Sequence, residues 1–358
     1  MGQHKYDNPA AIVAAAAILQ TLSTASVGLR FYSRRWKRQP YIVSDWLILA
    51  ALVSGTGITA EMFYGVAEKA MGYPLGGTIE DPYAVTGRLN RAKHLELGYL
   101  LIGILSLGLI KLSITFLYWH LFAKVIFRRF LIVWMVLIVI WMVGFILAGL
   151  LECGAHLTAL FGTPQDYLDH CGSAMPSGYG LVGSDVLTDL VTLLIPVPVL
   201  MTLQMNKRTR VLTLLTFAIG SLSVGASVAK AYIYITATLG LATEDAISIL
   251  TGIAIWNYVE VHVGIIAACG PTLRAILSRI LPIEAAAISL MSLLGVSLQT
   301  KTGSTLPSFV KMPASEEKLK SCGRTPSKGP SERSNITVID HELESWSEPS
   351  KSHSRSNV

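Results

Sequence analysis

Seven long apolar stretches follow one another along the chain, at roughly 10–32, 42–64, 97–120, 128–152, 178–203, 211–237 and 246–268. Each reaches the ~20 apolar residues that an α-helix needs to cross a hydrocarbon core ~30 Å thick. The pattern predicts an all-α fold, a bundle of seven transmembrane helices over residues 10–268.

Polar residues interrupt these stretches in register. Asp185, Thr188, Asp189 and Thr192 fall at i, i+3, i+4 and i+7 in the fifth stretch, and Ser223, Ser227, Lys230 and Tyr234 form a matching stripe in the sixth. Lys111, Thr115 and Tyr118 share a face in the third, and Asn257, Glu260 and Gly264 share one in the seventh. An ionisable side chain at a helix centre costs roughly 2.5–3.5 kcal/mol on insertion scales, so Lys111, Asp185, Asp189, Lys230 and Glu260 need partners or water. At ~1.5 Å per residue from the expected outer ends, Asp185 and Lys230 lie about 10 Å deep, and Lys111 and Glu260 about 20 Å. Depth predicts an outer Asp185–Lys230 pair and an inner Lys111–Glu260 pair, with Asp189 left over. An unpaired carboxylate is the candidate functional group, since it can hold and release a proton. Asp189, Glu260 and Asp185 are the candidates for any acid chemistry.

Charge in the loops sets the orientation. Arg34, Arg35, Lys37 and Arg38 follow the first stretch, Lys124, Arg128 and Arg129 the third, and Lys207, Arg208 and Arg210 the fifth. Residues 153–177 hold no Lys or Arg, and residues 238–245 offer only Glu244 and Asp245. The positive-inside rule places residues 1–9 outside and the C-terminus in the cytosol. The first stretch carries its basic cluster behind it, which marks an uncleaved anchor rather than a signal peptide. Composition adds weight: mean hydropathy is +0.52, and charged residues make up 15% against ~25% in soluble domains. The net charge of +6 sits on membrane-flanking loops and the tail, so no nucleic-acid partner is expected.

Past the bundle, residues 269–298 form a juxtamembrane segment. Leu273, Ile276, Leu277, Ile280 and Leu281 recur at helical spacing opposite Arg274 and Arg279, which predicts a short amphipathic helix on the inner leaflet. Residues 299–358 are rich in Ser, Lys, Glu and Pro and read as a disordered cytosolic tail. Cys153 and Cys171 bracket one extracellular loop and are expected to form a disulfide, whereas Cys269 and Cys322 fall on the cytosolic side. Pro196 and Pro198 are expected to kink the fifth helix. His94, His156, His170 and Glu152 lack ligand spacing, so no metal site is expected. No phosphate-binding loop, zinc-protease motif or nucleophile elbow is present. The seventh stretch has no lysine for a retinal Schiff base, and no cofactor is expected.

These residues resemble the fungal rhodopsin-like integral membrane family, typified by the satratoxin-cluster membrane proteins, from about 27 to 281. The likeness rests on Ser44-Asp45-Trp46, on Lys111-Leu112-Ser113 with Phe116-Leu117-Tyr118, and on Leu187-Thr188-Asp189 with Leu194-Ile195-Pro196-Val197-Pro198. It continues through Trp256 and Glu260 to Cys269-Gly270-Pro271-Thr272-Leu273-Arg274, and Cys153 and Cys171 stand where the family places its loop cysteines. The family usually has Asp where Ser44 stands, Asn at Asp185 and near His262, and Arg at His120 and Lys230. The resemblance implies a multi-pass protein of the plasma membrane or an endomembrane, with a lipid bilayer as its surroundings.

The expected role is that of an accessory protein or carrier in a secondary-metabolite pathway, such as one for a toxin or terpenoid. Its partner would be a lipophilic metabolite. A surface receptor with a cytosolic signalling partner is the second reading, and a membrane-embedded acid-initiated cyclase is the third. The residues assign no reaction.

Overall fold

A computed structural model describes residues 8–73, 82–121, 124–154, 174–198, 207–239 and 246–280. The described residues all fall in one compact unit. Its helices are α1 (Pro9–Trp36), α2 (Val43–Ala67), α3 (Pro82–Leu121), α4 (Val125–Leu150), α5 (Ala174–Leu194), α6 (Lys207–Thr238) and α7 (Ala246–Ile280). The described residues contain no strand. In hydrocarbon, every backbone N–H and C=O must be satisfied within its own segment, which the α-helix achieves.

Consecutive helices pack side by side, and α7 returns to α1 to close the ring. Both α3 and α7 touch four other helices: α3 lies against α2, α4, α5 and α7, and α7 against α1, α2, α3 and α6. They form the centre of the bundle. In their apolar windows, 61% of α3 and 50% of α7 is buried, against 11% of α4. On α4, Val133, Val136, Ile140, Val143 and Leu147 point outward, as a lipid-facing surface requires. We call the end where α1 begins the proximal face and the end where it finishes the distal face.

Six described helices are long and apolar enough to cross a membrane: Pro9–Trp36, Val43–Ala67, Asn90–Leu121, Val125–Leu150, Leu214–Thr238 and Ile247–Thr272. The sequence pattern predicts seven. The exception is α5, whose 21 residues are diluted by Asp185, Asp189, Ser, Thr and Gly. Its regular helix breaks after Leu194, and Val197 and Pro198 are helical again beyond a short turn, an interruption at the expected prolines. Ile195 and Pro196 form a turn there, because Pro196 has no N–H to continue the ladder. At the other end of the chain, α7 runs through Pro271 to Ile280 without interruption. The helix expected at 273–281 is therefore continuous with α7 over its described length. Cys153 is buried just after α4, whereas its expected partner Cys171 lies outside the described residues, as do Cys322 and the tail.

A polar knot fastens the distal half. Arg30 is fully buried in α1 and spends its guanidinium in three directions: Nε to Asp45 Oδ1 at 2.8 Å, Nη2 to Ser44 Oγ at 2.7 Å and Nη1 to the Ala268 carbonyl at 2.8 Å. Arg34 Nε stands 2.6 Å from Asp45 Oδ2. That same oxygen accepts from the Ile42 N–H at 3.0 Å and so caps α2. Ser44 Oγ donates to the Ser113 carbonyl at 2.7 Å, and Ser113 Oγ donates back to the Ser44 carbonyl at 2.8 Å. One set of buried groups thus ties α1, α2, α3 and α7 together.

Removing one member strands charge or an unsatisfied carbonyl in a dry interior. We expect Arg30→Met to cost about 3–5 kcal/mol of stability. Arg30→Lys should not restore it, because an ammonium cannot serve three fixed directions as a planar fork does. Melting of the purified variants in one detergent, followed by size-exclusion chromatography, checks this. Equal melting of Arg30→Lys and wild type would contradict it.

Candidate functional site

The polar stripes of α3, α5, α6 and α7 meet in the middle of the bundle and build a chain of alternating charges. Lys111 Nζ contacts Asp189 Oδ1 at 3.0 Å and Asp185 Oδ1 at 2.7 Å. Asp185 Oδ2 accepts from Lys230 Nζ at 2.6 Å, and Lys230 reaches on to Glu260 Oε2 at 2.6 Å. The order is Asp189, Lys111, Asp185, Lys230, Glu260, drawn in turn from α5, α3, α5, α6 and α7.

All five sequence-predicted residues are therefore brought together, but the pairing differs in part from the depth estimate. Asp185–Lys230 forms as expected. The Lys111–Glu260 pair is replaced by Lys111 between the two aspartates, so Asp189 is not left over. The reason is helical geometry. Asp185 and Asp189 lie one turn apart on one face, so a single ammonium fits between them. The depth count compares heights and ignores azimuth. Within the cluster, the buried atom without a hydrogen-bond partner among the described residues is instead Glu260 Oε1, and Glu260 is fully buried.

Neutral groups complete the cluster. Thr188 Oγ1 accepts from Lys111 at 2.7 Å and itself donates to the Asp185 carbonyl at 3.0 Å. Ser227 donates to Asp189 Oδ2 at 2.9 Å, and Ser223 donates to the Glu260 carbonyl at 3.2 Å. Asn257 Oδ1 lies 3.4 Å from Lys230 Nζ. A Cβ on Gly103 would stand 2.7 Å from the Asn257 amide, so α3 must be bare there for α7 to approach. Below the cluster on α7, His262 turns the other way: its Nδ1 meets Ser23 Oγ of α1 at 3.0 Å, and its ring lies 4.2 Å from that of Tyr258. Glu260 and His262 thus face different helices, as their spacing predicts.

Sequence reasoning missed Trp141. Its ring lies 4.6 Å from Lys111 Nζ, and its indole N–H donates to Ser184 Oγ at 2.8 Å. A tryptophan within the most apolar stretch offers only one signal, an indole N–H that needs a partner in hydrocarbon.

Two cavities flank the cluster. The proximal one has a volume of about 440 Å³, with walls that include Leu100, Ile104, Leu107, Trp141, Phe145, Val182 and Ile253. Asp185, Lys230 and Asn257 line its deep end, and Glu96, Glu152 and Tyr234 also line it. The distal cavity, about 130 Å³, is lined by Lys111, Asp189 and Glu260 together with Tyr118, Phe217 and Pro271. No charged member of the cluster lines both cavities. The charges form a septum. The proximal space falls within the 300–1,000 Å³ of small-molecule sites, whereas the distal one has room for only a few waters at ~30 Å³ each.

A family model for the fungal rhodopsin domain matches residues 29–279. A polyenoic acids biosynthesis gene cluster protein of Metarhizium anisopliae is 28% identical over 273 residues, which cover 74% of this chain and 72% of that protein. No solved structure matches.

Lys230 is the link most costly to remove, because it serves Asp185 and Glu260 together. We expect Lys230→Met to lose about 3–5 kcal/mol. The double variant Lys230→Met/Glu260→Gln should recover a substantial part of that loss, because it leaves no carboxyl group on α7 without its lysine. Asp189→Asn, at the end of the chain of charges, should cost less than Lys230→Met. A double-mutant cycle on melting in detergent measures the coupling, and simple additivity would contradict the pairing.

Proposed function

Because the chain belongs to the fungal rhodopsin domain family, we propose that this integral multi-pass membrane protein serves a secondary-metabolite pathway by holding or passing on a lipophilic metabolite in its proximal cavity. The observation that carries the reading is the cavity itself, with apolar and aromatic walls and a floor of fixed charges and an amide. Such a space suits a molecule with a long apolar body and one polar end. The biosynthetic-cluster origin in the printed name of the Metarhizium anisopliae relative supports the same setting.

The cyclase draws less support. Asp185, the candidate acid in the large cavity, is held by two ammonium groups, and Asp189 and Glu260 line a space far too small for a terpenoid. The positive-inside rule argues that the proximal face lies outside the cytosol, with Cys153 and Cys171 bridged in that oxidising compartment. Retinal finds no lysine in α7, so the reading includes no pigment.

Deletion of the gene should change the metabolite profile of the source strain. One precursor or intracellular product is expected to accumulate. Wild type should restore the profile, whereas Ala148→Trp, which fills the cavity wall, should not restore it at equal membrane abundance. An unchanged profile in the deletion strain would overturn the proposal. In sealed membrane vesicles of known sidedness, a tag after Val358 should be cut by a protease on the cytosolic face, and one before Met1 should be protected. The reverse pattern would overturn the orientation.

A further inference from the structure

The cluster does not balance. Its two ammonium groups face three carboxylates, so fully ionised it would carry one net negative charge in the centre of a bundle clad in hydrocarbon. An uncompensated buried charge is the costliest state available to such a group, and a carboxylate escapes it by taking up a cation or a proton. Carboxylate oxygens of Asp185, Asp189 and Glu260 lie within 4.8 Å of one another, which by distance alone resembles a metal cage. The positions a metal would take are already filled. Lys230 Nζ sits 2.6 Å from both Asp185 and Glu260, and Lys111 Nζ sits between Asp185 and Asp189. A metal ion there would meet two ammonium charges at close range.

We infer that the cluster is a binding site for a single exchangeable proton, held on Glu260. Asp185 accepts from both lysines, and Asp189 accepts from Lys111 and Ser227. Glu260 receives one lysine contact on Oε2, and its Oε1 has no hydrogen-bond partner among the described residues. With the proton on Glu260, two ammoniums face two carboxylates and the cluster is neutral.

The groups facing Glu260 from the packed helices support this assignment. Lys111 comes from α3, Asp185 and Asp189 from α5, and Lys230 from α6, while Tyr118 of α3 shares the distal cavity. From α1 and α2, Arg30, Arg34 and Asp45 are committed to their own knot, and His262 on α7 turns to Ser23. No further cation among these is left to balance Glu260.

The site also has a side. Glu260 lines the distal cavity and not the proximal one, whereas Asp185 and Lys230 line the proximal cavity. The proton exchanges with the distal space. Its arrival and departure change the charge beside Lys230, which reaches the floor of the metabolite cavity. The inference stands on the charge count and the two cavities, and it does not depend on the metabolite reading.

Infrared spectroscopy of the purified protein in nanodiscs at neutral pH tests it. Wild type should show a protonated-carboxyl carbonyl band that shifts in heavy water. Part of that band should be missing in Glu260→Gln, which mimics the protonated side chain and should fold, and should be retained in Asp189→Asn. A protonated carboxyl elsewhere in the chain contributes equally to all three proteins, so the difference spectra isolate the cluster. An unchanged band in Glu260→Gln, or a loss confined to Asp189→Asn, would overturn the assignment. Melting is measured in parallel against sodium and calcium at constant ionic strength. Stabilisation by either ion that disappears in Glu260→Gln would replace the proton with a metal.

Discussion

A charge enclosed by hydrocarbon must find an opposite charge or give up its own, and this requirement organises the centre of the bundle. Four helices each bring charged or amide groups that no membrane span carries without compensation. Their meeting line is the alternating chain from Asp189 to Glu260. The amphipathic character of α5 follows from it. A helix too polar to qualify as a span by length and composition is seated where its aspartates reach Lys111 and Lys230.

The bundle has a second polar centre with a different character. Each guanidinium nitrogen of Arg30 has a fixed acceptor: a carboxylate, a hydroxyl and a helix carbonyl. That knot joins Ser44-Asp45 of α2 and Ser113 of α3 to α7 at Ala268, three of the places where the family resemblance is concentrated. Its role is to hold α1, α2, α3 and α7 in register. The five-ion cluster is less fully satisfied, and it sits between two cavities rather than in solid packing. A rigid clamp beside an adjustable septum would suit the ligand-holding role proposed above.

The position of the septum links the two proposals. Lys230 touches the floor of the larger cavity and one oxygen of Glu260, so a change of charge on the distal side is felt by whatever occupies the proximal side. Coupling of this kind needs no long pathway. A single contact, Lys230 with Glu260, joins a residue lining one cavity to a residue lining the other.

Much of the architecture was legible in the chain because a bilayer constrains sequence severely. Length and apolar content identify the helices, and the 3.6-residue period of the polar stripes identifies which faces turn inward. That was enough to name all five charged residues and to pair Asp185 with Lys230. It was not enough to place Lys111, since periodicity gives a face and a height but not which neighbouring helix that face meets. Arg30 reads in sequence as one more basic flanking residue, and only the approach of α2 and α7 shows it fully buried. Trp141 is hidden for the same reason, being one apolar residue among many until α3 and α5 close around it. The sequence by itself determined the solvent, the helices and the inventory of buried charge, because those follow from local composition. Tertiary structure decided the partners, the unsatisfied oxygen of Glu260 and the division into two cavities, because each depends on the azimuth and separation of helices distant in the chain.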